Sequence, residues 1–312
     1  LVQKFMTKIT EKAQKVLTQK PGIPEIREFT KNSAPLIHCI TNPISIHDCA
    51  NMILAVGARP IMAEHPEEVE EITEVSSALM LNLGNITDAR IISMQRALST
   101  ANRKNIPVLL DLVGVTCSQL RRSFAKQLLS QGVFSVIKGN ISEILAAAEL
   151  PYHGTGIDAG SQDAVSVENQ AWYCETARHL AKHLNCTVMA TGKKDLIADA
   201  ENAFLVSNGH AALSGVTGTG CMVGALTAAY LPGSKTIFTK SGIFETSSII
   251  PDKTKVSYGT AAALLAAVAM GISGELAAEI SKGPGSFQTA LLDEVYAMTD
   301  ETLLEKARLQ EF

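Results

Sequence analysis

The chain has no surplus of basic residues: 27 lysines and arginines against 31 aspartates and glutamates leave a net charge of -4. That excludes the general cationic surface that holds nucleic acid. No two cysteines form a CxxC pair, so the six at positions 39, 49, 117, 174, 186 and 221 read as reduced and mostly buried. Among the histidines only His179 and His183 share a helical i, i+4 spacing. Arg178 and Lys182 accompany them, and zinc would need further ligands, so they read as an exposed helix face. No low-complexity linker and no internal repeat divides the chain. Residues 1–20 are charged and amphipathic, unlike a secretory signal. The most apolar run, 259–272, is too short to span a bilayer and reads as a buried helix. Together these absences predict a cytoplasmic protein whose partners are neither nucleic acid nor membrane.

Hydrophobic residues make up 46% and charged residues 19%, enough for a substantial core. Short apolar runs alternate with helix-length segments. Strands are expected at 36–40, 60–62, 78–83, 107–111, 134–138 and 187–191. Helices are expected at 45–56, 66–76 with its proline in the first turn, 87–103, 119–130, 141–149 and 164–183. Two further strands, 196–198 and 203–206, flank a hairpin turn at 199–202. From Thr217 onward the pattern is nearly all helical. The alternation predicts an α/β fold with a mainly parallel central sheet and helices on both faces. It forms a single domain over residues 33–312, preceded by a helical extension at 1–32. Ligands in such sheets sit beyond the carboxyl ends of the strands. Thr41-Asn42, Gly84-Asn85, Asp111, Lys138-Gly139-Asn140 and Thr191-Gly192 all fall there.

The densest chemical signal is Ser214-Gly215-Val216-Thr217-Gly218-Thr219-Gly220-Cys221-Met222, running into the alanine-rich segment 223–231. Such a turn directs backbone N–H groups inward, and the helix behind it offers its unpaired N–H groups and dipole to an anion. Gly215 and Gly220 have the spacing of a P-loop, but Cys221-Met222 stands where that motif has Lys-Ser/Thr, so the P-loop reading fails. The stretch reads as a phosphate cradle and the chain as a small-molecule kinase. Cys221 is a candidate to touch the group being phosphorylated. A helix N-terminus is expected to depress its pKa toward a partial thiolate, although a small cysteine also suits a core. Asn140-x-x-Glu143 opens a helix: Asn140 can cap it, and Glu143 could hold a hydrated magnesium near the cradle. Asp111 is a second carboxylate for that ion, or a turn former. Lys138 ends a buried strand and needs an anionic partner, for which an ATP phosphate is natural.

These residues combine into a recognisable pattern. Pro35-Leu-Ile-His-Cys-Ile-Thr-Asn42, Ala50-Asn51, Leu54-Ala-Val-Gly-Ala-Arg-Pro-Ile-Met62, the Gly-Asn-x-x-Glu element, Thr191-Gly-Lys-Lys-Asp195, Val216-Thr-Gly-Thr-Gly-Cys221 and Lys282-Gly-Pro-Gly-Ser-Phe-Gln288 resemble the hydroxyethylthiazole kinase family over roughly residues 33–294. The cysteine closing the glycine loop separates it from ribokinase-like relatives with aspartate there. The resemblance implies a ribokinase-like fold and transfer of the ATP γ-phosphate to 4-methyl-5-(2-hydroxyethyl)thiazole in thiamine salvage. It also implies a homotrimer with active sites between subunits. By position, Met62 would contact the thiazole with Asn42, Ile44 and Gly84 beside it, and Gly218 and Cys221 would lie near the hydroxyl. Lys138 takes the family's ATP-contacting basic position, usually arginine, and Thr191 its ATP-contacting threonine. Asn140, Gly218 and Gly220 complete the nucleotide set, and Asp111 and Glu143 would hold Mg2+. The chain departs from the family's Asp-Pro-Val-Gly and Gly-Ala-Thr loop at 111–119, at Pro43 and Arg59, and in a longer segment at 232–255. A ribokinase-like kinase for another heterocyclic alcohol, or a catalytically weakened ligand-binding paralogue, are the alternative readings.

Overall fold

A computed structural model describes residues 23–154, 165–240 and 256–312. Strands β1 (Leu36–Ile40), β2 (Arg59–Ile61), β3 (Ala78–Asn82), β4 (Val108–Asp111), β5 (Val136–Asn140), β6 (Thr187–Thr191), β7 (Asp195–Ala198), β8 (Ala203–Val206) and β9 (Leu309–Glu311) form one sheet. Their order is β2-β1-β3-β4-β5-β6-β7-β8-β9. The pairs from β2 to β6 are parallel and those from β6 to β9 antiparallel. Strands β3 and β4 are apolar and fully buried on both faces, as helices packed on both sides of a parallel sheet require.

On one face lie α1 (Ile23–Ser33), α2 (Ile46–Ala55), α8 (Thr219–Lys240), α9 (Tyr258–Ile280) and α10 (Pro284–Ala297); on the other lie α4 (Asp88–Arg103), α5 (Gln119–Gln131), α6 (Ile141–Ala147) and α7 (Gln170–Leu184). Side chains of the central strands alternate between these two cores: Met80, Leu109, Val136 and Met189 face α8 and α9, whereas Leu79, Leu110, Ile137 and Val188 face the opposite layer. Helix α9 is apolar all round because it is surrounded. Among the described residues it is the one helix long and apolar enough to cross a bilayer, and it is the buried helix that segment 259–272 predicts. Helix α1 is fastened into the same layer. Ile26 is in the core, Gly233 leaves room for Phe29 and the Ile26 carbonyl, and Arg27 binds the Asp300 carboxylate and the Met298 carbonyl.

The expected elements form, with local differences. The helix expected from Pro66 is shorter: α3 runs Val69–Glu74, because Glu67 donates its N–H to His65 Nδ1 and holds 66–68 as a turn. The helix expected from 164 begins at Gln170; residue 164 lies outside the described residues, as do most of the 1–32 extension and 241–255. The hairpin forms around Asp199, whose Oδ1 accepts N–H bonds from Glu201 and Asn202. The C-terminal region is not wholly helical: after α11 (Asp300–Lys306), β9 adds to the free edge of β8.

Candidate active site

Parallel register builds the site. Asn82 is level with Asp111, and Asp111 with Lys138, at the carboxyl ends of three adjacent strands. Period-2 alternation puts them on the same face as Met80, Leu109 and Val136, toward α8. Helix α8 meets them with glycines. A Cβ on Gly224 would lie 2.9 Å from Met80 Cε and 3.3 Å from Asp111 Oδ2, and one on Gly220 would lie 3.7 Å from Lys138 Nζ. The missing side chains are what let a helix axis approach a pair of buried charges.

Lys138 Nζ donates to Asp111 Oδ2 at 3.2 Å, with the two side chains 2% and 0% exposed. Burial is the largest influence and works against the ammonium, but the Asp111 carboxylate together with the neighbouring Cys221 and Glu143 outweighs it and holds Lys138 above the ordinary lysine range. The anionic partner that the sequence assigns to ATP is thus supplied within the chain. Asp111 Oδ1 is buried and accepts no hydrogen bond.

Cys221 opens the first turn of α8, 7% exposed. Its sulfur accepts an N–H from Asn82 Nδ2 at 3.3 Å and from Asn42 Nδ2 at 3.4 Å. Backbone donors fix both amide orientations: Asn82 Oδ1 accepts from Gly84 N, and Asn42 Oδ1 from Ile44 N and Ser45 N. Neither amide can flip without placing two donors face to face. The depressed pKa expected of Cys221 is not found. Burial pushes the thiol up and the Asp111 carboxylate adds to this, outweighing Lys138 and the hydrogen bonds from Ser45 and Asn82, so Cys221 is a neutral thiol.

Gly218 has φ +87°, and a Cβ there would lie 2.9 Å from Ser45 Cβ, so this turn requires glycine twice over. Gly215 carries no such constraint, since nothing lies within 4 Å of an added Cβ. A Cβ on Gly84 would lie 2.9 Å from Asn42 Nδ2. The structure therefore gathers Asn42, Gly84, Asp111, Lys138, Gly218, Gly220 and Cys221 at one place. Ile44 adjoins Asn42 but is 63% exposed, and Met62 is half-buried just past β2.

Three assigned residues have structural partners. Asn140 and Glu143 form a capping box on α6. The second Glu143 oxygen accepts Gly114 N–H at 2.7 Å, which ties down the atypical 111–119 loop. Burial pushes Glu143 up to about 7 despite those two backbone donors. Thr191 Oγ1 donates to Gly139 O at 3.3 Å. Among the described residues no three His, Cys, Asp or Glu side chains are grouped to hold a metal. His179 pairs with Glu175 on an exposed face, as its spacing predicts.

Sequence reasoning missed Asn82, Ser45 and Gly224. Asn82 had a signal, a lone amide in an otherwise apolar buried strand. Gly224 had a weaker one, a glycine inside a helical run.

The family model described as the hydroxyethylthiazole kinase family matches residues 26–301. Hydroxyethylthiazole kinase 2 of Clostridium botulinum strain 657 is 42% identical over 288 residues, covering 92% of this chain and all of the relative. The corresponding protein of strain Langeland is 43% identical over the same coverage. The solved hydroxyethylthiazole kinase structure from Pyrococcus horikoshii OT3 superposes with a TM-score of 0.75 at 31% identity, over 93% of this chain and 98% of that one. With its ribokinase-like fold and its glycine turn closed by cysteine, the chain belongs to the hydroxyethylthiazole kinase family.

Proposed function

We propose that the protein transfers the γ-phosphoryl group of ATP to the hydroxyl of 4-methyl-5-(2-hydroxyethyl)thiazole, a thiamine salvage reaction. The observation that carries this reading is the meeting of the α8 N-terminus, the Lys138 ammonium and the amide-held Cys221 at the end of the parallel sheet. Unpaired first-turn N–H groups and a buried cation make a site for a transferring phosphoryl group. Family membership supports the substrate. In this reading Met62, Asn42, Ile44 and Gly84 border the thiazole, and Gly218 and Cys221 lie beside its hydroxyl. Lys138, Thr191, Asn140 and Gly220 face the nucleotide.

Cys221 takes a particular role in this arrangement. Two N–H donors occupy its sulfur, and its proton is retained, so it orients the alcohol rather than stripping it in the resting enzyme. A loose phosphoryl-transfer transition state depends chiefly on position and charge neutralisation, so a strong base is not required. Mg2+ would be held by Asp111, whose unpartnered Oδ1 fits a hard cation. Glu143 would act by charge, since both its oxygens already accept N–H bonds. Magnesium, when bound, neutralises phosphate charge.

We also infer a cytoplasmic homotrimer whose active sites lie between subunits. The exposed Ile44 next to Asn42 supports this, as a second subunit would cover it. Light scattering coupled to gel filtration tests the assembly. A coupled ADP-release assay with the thiazole alcohol, across magnesium concentrations, tests the activity. Turnover only with a different heterocyclic alcohol, or binding without turnover, would overturn the reading.

A further inference from the structure

Two loops border the proposed thiazole pocket. One follows β2 and carries Met62; the other follows β3 and carries Gly84. The second continues the sheet only as far as Leu83, whose N–H donates to the Asp111 carbonyl at 3.0 Å, and one side chain from outside the pocket grips both loops. Arg90, on the first turn of α4 and 7% exposed, donates through Nε at 2.8 Å and through its second terminal nitrogen at 2.7 Å to Glu64 Oε2. Its remaining terminal nitrogen donates to the Asn85 carbonyl at 2.9 Å. Asn85 needs that support, because its φ is +51°. A planar guanidinium suits this task, since its donors diverge in fixed directions and can reach two chain segments at once.

Two neighbours complete the grip. One turn along α4, Ser93 Oγ lies 2.8 Å from both the Glu64 and the Ala89 carbonyls and shares its one hydrogen between them. Beneath the loop, the fully buried His38 on β1 meets the Ala63 carbonyl through Nε2 at 2.9 Å and Thr73 Oγ1 through Nδ1 at 2.8 Å. A carbonyl only accepts, so Nε2 carries the hydrogen and Nδ1 accepts from the threonine hydroxyl. The two residues that follow Met62 are therefore fixed at both carbonyls and at one carboxylate.

We propose that Arg90 is a positioning residue for the acceptor alcohol, clamping the Met62 and Gly84 loops at the separation the heterocycle needs while leaving the nucleotide side untouched. This deepens the thiazole kinase reading and rests on it. None of the clamp's hydrogen bonds is made to Lys138 or the α8 N-terminus, so its loss is expected to act on one substrate only.

Steady-state kinetics on Arg90→Lys, Glu64→Gln and Met62→Ala, with both substrates varied, tests the proposal. Glu64 is half-exposed and its replacement spares the core, so Glu64→Gln decides the matter if Arg90 variants fail to fold. The expected result is a KM for the alcohol raised about three- to tenfold in Glu64→Gln, the range for one ordinary hydrogen bond, with the KM for ATP unchanged and kcat within about twofold. A raised alcohol KM in Met62→Ala but not in the clamp variants overturns the clamp and leaves the pocket reading standing. An unchanged alcohol KM in all three overturns both. A parallel fall in kcat and rise in both KM values would show a merely structural role and also overturn the clamp.

Discussion

Replacing Lys138 by methionine tests the electrostatic heart of the site. The substitution keeps most of the side-chain volume and removes the charge, leaving Asp111 fully buried without its 3.2 Å ammonium contact and with only the Val113 backbone and the Asn82 amide to support a charge. Breaking a buried pair by deleting one member typically costs about 3–5 kcal/mol, because the survivor is an uncompensated charge. Burial already pushes Asp111 upward even with Lys138 beside it. Without the ammonium, its folded-state pKa moves further above the unfolded value of about 3.9. An acid shifted in that sense binds more protons folded than unfolded, so stability falls as pH rises from the unfolded value through the folded one. Lys138→Met should therefore be much less stable than the wild-type chain at pH 8, with the gap narrowing at pH 5. Adding Asp111→Leu should recover much of the loss at pH 8, since it removes the orphaned charge. Urea unfolding with linear extrapolation at both pH values measures all four corners of the cycle. A loss below about 1 kcal/mol at pH 8, or strictly additive effects in the double variant, would refute the argument that these two charges hold each other in a dry site.

The remaining expectations concern the neighbouring groups. Gly218→Val should abolish turnover: a β-branched residue at φ +87° stores about 1–3 kcal/mol of strain, and its Cβ would press on Ser45. Unchanged kcat and KM would remove the α8 turn from the phosphate site. Cys221→Asp should keep measurable kcat in the ADP-release assay, because the two amide N–H groups now given to sulfur can serve a carboxylate; complete loss in a folded protein that binds both ligands would contradict the orienting role. Burial raises the folded pKa of Glu143 to about 7 from an ordinary 4.5. Its contribution is therefore destabilising, absent below the lower value and complete above the higher, and reaches up to about 3 kcal/mol. Unfolding curves from pH 5 to 8 should slope downward, and Glu143→Gln should flatten that slope; an identical slope in the variant would show that other groups set it.

Much of this molecule was legible along the chain. Strand–helix alternation, the turn at Asp199, the Asn140 cap and the glycine turn before Cys221 are local patterns, and local patterns are written in neighbouring residues. Even Gly218 announces its role, because few residues other than glycine take a positive φ ahead of a helix. What stayed hidden depends on partners distant in sequence. The three residues of β9 carry too little pattern to read as a strand and become one by pairing with the exposed edge of β8. Register alone sets Asn82, Asp111 and Lys138 abreast, and so gives the lysine a partner within the chain, an aspartate 27 residues earlier. Cys221 shows the same division: its place at a helix N-terminus is a sequence fact that favours a thiolate, whereas its protonation follows from surrounding protein that excludes water and brings a carboxylate near. Sequence determined which groups are present and how each turn is made, while tertiary structure decided their dielectric surroundings and their neighbours, because desolvation and long-range pairing exist only once the chain has closed around them.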